Sequence, residues 1–169
     1  MAHSTASPRD IDEPTSGVRL VEQVEERWAT FRAAFDRLPP ASLESLTSSG
    51  WSAKEMLGHI AFWYEAIVGY LTLVIRNEAL PPAWAFGSGY TPTGDGWPEE
   101  DFHNAREAAW ARQQTASLVL QRVAQSHAAL PRFLITITPE QRAQQPEYFD
   151  DLGNHYTDHL PDLLELGGT

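Results

Sequence analysis

Two histidines four residues apart, His155 and His159, stand in a stretch whose apolar residues recur at helical spacing. Residues four apart lie on one face of a helix, about one turn from each other. Two imidazoles so placed form a clamp of the kind that binds a divalent metal. The same spacing also occurs on solvated helix faces. Here Leu152, His155 or Tyr156, His159, Leu163 and Leu166 make up the apolar stripe, which points both histidines at the core. Ring nitrogens on a buried face need partners, and a metal ion supplies one.

His59 lies between Met56 and Trp63 on the seam of a second apolar stretch. A histidine there is ordinarily a core residue with a satisfied hydrogen bond. Added to the pair, it completes a three-nitrogen set with open positions for water or substrate. Of the other histidines, His3 falls in the N-terminal tail and His103 near the start of a third helical stretch. His127 lies on that stretch's seam and is the one plausible substitute ligand.

Three neutral ligands leave the full +2 charge of a metal uncompensated, which lowers the pKa of a bound water or thiol. The run His155-Tyr156-Thr157-Asp158-His159 lacks the glutamate that zinc proteases place directly after the first histidine, so peptide hydrolysis of that type is disfavoured. The chain has no cysteine. Disulfides, thiolate metal sites and a cysteine nucleophile are therefore excluded, and any thiol must be an external co-substrate. Asp151, Asp158 and Asp162 are candidates to accept the ring N–H groups, or are solvated helix charges.

These residues need helices to carry them. Val21, Val24, Trp28, Phe31, Phe35 and Leu38 form one seam of a first helix that Pro39-Pro40 ends. The second helix starts at Ser52, with Glu55 completing a capping box and Trp51 and Met56 a hydrophobic staple. Its seam runs through Ile60, Trp63, Ile67, Tyr70 and Val74 to about Glu78. Residues 79–100 then combine Pro and Gly with Trp84, Phe86, Tyr90 and Trp97, which reads as a lid over a site. A third helix is expected from Glu99–Asp101 to Leu130, with Pro131 kinking or interrupting it. Thr138-Pro139-Glu140-Gln141 reads as another helix start. The last helix is expected from Phe149 to Leu166, capped near Asp150 or Asp151 and kinked at Pro161. The only short strand candidate is Ile135 to Thr138. The fold expected is an all-α antiparallel four-helix bundle over 16–169, behind a disordered tail over 1–15.

Composition narrows the partners. With 12 Lys+Arg against 23 Asp+Glu, the net charge of −11 repels phosphate backbones and anionic lipid. Nucleic acid and membrane surfaces are thus poor partners for this chain. Met56 to Ile75 is apolar enough to raise a membrane span, yet it carries His59 and Glu65, and a mid-membrane acid costs roughly 2.5–3.5 kcal/mol. A buried bundle helix fits better. The start of the chain has no apolar leader core, so the cytoplasm is the expected compartment.

The residues from Gly50 to Trp63, GWSAKEMLGHIAFW, resemble the second-helix motif of the DinB-like (damage-inducible) superfamily. Asn154 to Leu163, NHYTDHLPDL, resembles its last-helix motif, and helix order agrees over about residues 16–166. The resemblance implies an up-down-down-up four-helix bundle, frequent homodimers, and zinc or nickel held by His59, His155 and His159. Relatives in that superfamily include mycothiol-dependent maleylpyruvate isomerase and mycothiol- or bacillithiol-dependent S-transferases. Another branch opens reactive cyclopropanes without needing the metal triad. The segment from 79 to 100 matches no particular subfamily.

Three functions follow as expectations. The first is transfer of a low-molecular-weight thiol to an electrophilic small molecule. In it Arg106 and Arg112 would hold a thiol cofactor's carboxylates, and Trp63, Trp84, Tyr90 and Trp97 would wall the pocket. Both arginines also read as solvated helix charges, and Trp63 as core. The second is hydrolysis of a small molecule by activated water. The third is a non-enzymatic bundle that binds a hydrophobic toxin or drug.

Overall fold

A computed structural model describes residues 17–76, 100–150 and 152–168. The expected tail over 1–15 and the lid residues Trp84, Tyr90 and Trp97 lie outside the described residues. The described chain forms α1 (Gly17–Phe35), a 3-10 turn (Pro40–Glu44), α2 (Ala53–Ile75), α3 (Glu100–Gln113), α4 (Ala116–Leu134), α5 (Pro139–Gln144), α6 (Pro146–Asp150) and α7 (Asn154–Leu166). The architecture is all-α, as expected. The Ile135–Thr138 segment is not a strand; among the described residues the one β-type pairing is an isolated bridge between Leu46 and Ser52.

Helices α1, α4, α2 and α7 close into a ring, each packed on the next, and α3 packs on the outer side of α2. Pairings between residues set the helix directions. Arg27 donates to the Leu152 carbonyl, while Arg37 and Leu164 share a groove farther along, so α1 and α7 run the same way. Lys54 reaches the Gln114 carbonyl and Glu65 reaches Arg122, so α2 and α4 run together. Gly17 abuts Leu134 whereas Trp28 stacks on His127, which sets α1 against α4. The four therefore run up, down, down and up in chain order.

The seams do what their spacing requires. Val24, Phe31, Met56, Ile60, Val123, Leu130, Tyr156 and Leu163 are all essentially inaccessible to water. Burying a large side chain of this kind contributes about 1.5–3 kcal/mol relative to exposure, and these form one continuous core. At the start of α2 the Ser52 side chain accepts from the Glu55 amide, and Glu55 accepts from the Ser52 amide. Helix α2 is long and apolar enough to cross a membrane, but half of its most apolar window is buried inside the bundle. Its Glu65 is paired with Arg122.

Three expectations need correction. The third helix is two helices, α3 and α4, that fold back on each other at Gln114-Thr115. Thr115 caps α4 by accepting from the Leu118 amide, and Lys54 donates to the carbonyls of Arg112 and Gln114 at the end of α3. A helix end needs such partners for its last carbonyls, and the lysine that supplies them is 58 residues from the nearer one. Pro131 does not interrupt α4, which continues to Leu134. The last helix starts at Asn154, because Gly153 takes a left-handed backbone conformation (φ 85°) that most side chains disfavour. A Cβ on Gly153 would also lie 2.9 Å from Cδ of Arg27.

Candidate metal centre

His59, on the buried face of α2, meets His155 and His159 from α7. One ring nitrogen from each lies within 4.8 Å of the others. The ring centroids are 4.6 Å apart for His59 and His155, 5.1 Å for His59 and His159, and 5.0 Å for His155 and His159. Nε2 of His59 faces Nε2 of His155 at 2.7 Å. Two lone pairs do not approach so closely without a proton or a cation between them.

Groups behind the rings fix their orientation. Nδ1 of His59 is 2.9 Å from Oδ1 of Asn104, and Nε1 of Trp63 donates to the same oxygen at 2.8 Å. The Trp63 indole nitrogen also lies 3.2 Å from Nδ1 of His59, so Asn104 and Trp63 together hold the Nδ1 edge of the ring and leave Nε2 facing the cluster. Nδ1 of His159 lies 3.5 Å from Oδ2 of Asp162, which leaves its Nε2 for the cluster. Of the candidate aspartates among the described residues, Asp162 is the one beside a ring nitrogen. Asp158 acts on His159 only through its charge, and Asp151 lies outside the described residues.

Electrostatics keep the three rings neutral. Burial, and then the neighbouring His159, lowers His59 to about 4, while the Asn104 hydrogen bond works in the opposite direction. Burial also holds His155 well below its ordinary value, with the other two histidines adding to the effect. His159 is lowered by burial and partly restored by Asp162. Neutral imidazole is the form that binds a metal. The donor set, its orientation and its protonation all fit a divalent ion.

A cavity of about 260 Å³ opens on this cluster, lined by His59, Trp63, Ile67, Glu100, Asn104 and His155. Trp63 is both core and cavity wall, since its side chain is buried yet lines this space. The arginines are placed otherwise. Arg106 pairs with Glu107 at 2.8 Å and lies over the Phe62 ring, and Arg112 pairs with Glu55. His127 is not a substitute ligand: its Nδ1 meets the Tyr156 hydroxyl at 3.0 Å, and its ring stacks on Trp28. His103 is buried with its ring stacked on Phe62.

Sequence reasoning missed Asn104 and Glu100. Asn104 precedes Arg106 on a helix with no clear apolar stripe, so nothing in its spacing marks it. Only the fold-back of α3 onto α2 brings it to His59.

No curated protein and no solved structure matches this chain. The profile of the DinB superfamily matches residues 23–161, a span that contains the three clustered histidines, all of α2 and α4, and the greater part of α1 and α7. The chain belongs to the DinB superfamily.

Proposed function

We propose that His59, His155 and His159 hold a divalent ion, zinc or nickel, and that the protein uses it to transfer a low-molecular-weight thiol to an electrophilic small molecule. The observation that carries this reading is a cluster of three neutral imidazoles that, among the described residues, includes no carboxylate and faces a cavity. A divalent ion in such a set ionises a thiol or a water at neutral pH, because no ligand offsets its charge.

The chain's own residues have separable parts in this. Asn104 holds the His59 ring so that Nε2 faces the site. Asp162 stands behind His159. Trp63 and Ile67 give the cavity an apolar wall beside the histidines. The chain contributes no thiol, since it has no cysteine, so the thiol enters from solution.

The test is metal content of the wild type and His59→Ala, followed by product formation from electrophiles with and without an added thiol. Near-stoichiometric metal that is lost in the variant, with turnover that requires thiol, is the expected result. Turnover without thiol would replace this reading with hydrolysis. A protein that takes up no metal even on reconstitution, but binds small apolar molecules stoichiometrically, would replace it with a binding bundle.

A further inference from the structure

We infer that the cavity selects a small molecule carrying a cationic nitrogen, which Glu100 engages at the rim while the other end reaches the histidines. The inference rests on the metal reading above and adds the charge of the molecule that enters.

Helices α2 and α3 run in opposite directions along the cavity. Arg112 pairs with Glu55, Gly58 abuts Ala111, and Asn104 meets His59 and Trp63. On α2 the lining residues are His59, Trp63 and Ile67, spaced one turn apart, and on α3 they are Asn104 and Glu100, again one turn apart. His59 and Asn104 therefore form the inner level. Ile67 and Glu100 form the outer one, and Glu100 stands roughly 6 Å farther along the α3 axis than Asn104.

Glu100 is exposed, so the outer level meets solvent. It is the only carboxylate among the described lining residues, and none of them is a lysine or arginine. The nearby arginines are committed elsewhere: Arg106 to Glu107, Arg112 to Glu55, and Arg122 to Glu65 and Glu107. A co-substrate with a carboxylate at this distance from its reacting end finds repulsion at Glu100 and no guanidinium to offset it. A cationic one finds a partner. The protein's net charge of −11 also draws cations toward the rim. At about 260 Å³ the space falls below the roughly 300–1,000 Å³ of pockets for drug-sized ligands, so the molecule is small.

An acid in the first turn of a helix also favours the helix itself. The experiment must therefore read ligand charge and not stability. Cobalt-substituted protein is titrated with thiocholine, 2-mercaptoethanol and 3-mercaptopropionate, and binding is followed by the sulfur-to-cobalt charge-transfer absorption. Thiocholine's quaternary nitrogen cannot chelate the metal. Because the thiols differ in acidity, the quantity read is the change between wild type and Glu100→Gln. Thiocholine should weaken roughly fivefold in the variant, 2-mercaptoethanol should change little, and 3-mercaptopropionate should tighten. Glu100→Lys should shift the order further toward 3-mercaptopropionate. Equal changes for all three thiols, or none, would overturn the inference while leaving the metal site standing. Failure of the wild type to bind cobalt would overturn both.

Discussion

One carbonyl oxygen, Oδ1 of Asn104, lies 2.9 Å from Nδ1 of His59 and also accepts the Trp63 indole proton. The contact joins two helices and decides which nitrogen of His59 faces the cluster. Partners of this kind behind a metal ligand are commonly worth 10–100-fold in affinity, so Asn104→Ala should weaken metal binding by roughly tenfold. Asn104→Asp, which keeps the acceptor, should retain most of it. Competition against a chelator of known affinity checks both, and wild-type affinity in the alanine variant would refute the assignment.

Removing any of the three clustered histidines should abolish stoichiometric metal. His127→Ala should keep the metal, because His127 hydrogen-bonds Tyr156 and stacks on Trp28 away from the cluster. That variant should instead lose about 1–3 kcal/mol of stability through the unpaired Tyr156 hydroxyl. Elemental analysis together with urea melts separates the two outcomes. Metal loss in His127→Ala alone would move the site.

Acid should destabilise the metal-free protein early. His59 binds its proton near the ordinary value of 6.5 when unfolded, but only at about 4 when folded. The unfolded chain thus carries more protons between these values, and stability present above pH 6.5 is lost as the pH falls toward 4. For His59 alone the loss is on the order of 3 kcal/mol. Denaturation midpoints at pH 7 and pH 5 read the effect, and His59→Phe should reduce it, leaving the part that His155 and His159 contribute. An unchanged slope in that variant would show that other groups cause the acid sensitivity.

Gly58 sits one residue before His59, where α2 packs against α3. A Cβ there would stand 2.9 Å from Cβ of Ala111 and 3.4 Å from the Glu107 carbonyl. Alanine gains helix propensity, but the two helices must move apart, for a net loss of roughly 1 kcal/mol. The same movement withdraws Asn104 from His59, so Gly58→Ala should also bind metal less tightly. A raised melting temperature with unchanged affinity would contradict this.

The capping boxes at Ser52 and Thr138 were legible because each depends on residues three apart. The inward histidines were legible because apolar periodicity marks the buried face of a helix. The break at Gln114-Thr115 was not, since its strongest support is the distant Lys54. The start of α7 escaped for a similar reason: aspartate caps looked sufficient, whereas the structure uses Gly153 and a clamp from Arg27 on the Leu152 carbonyl.

By itself the sequence determined the helical class, the seams that face the core, and the placing of His155 and His159 one turn apart on the last helix. Those depend on spacing along one helix, and spacing survives in one dimension. Only the tertiary structure decided that α3 folds back on α2, that Asn104 orients His59, and that Arg106 and Arg112 pair with Glu107 and Glu55. It also set Glu100 at the rim of the cavity. Such relationships join residues tens of positions apart, and no local periodicity encodes them.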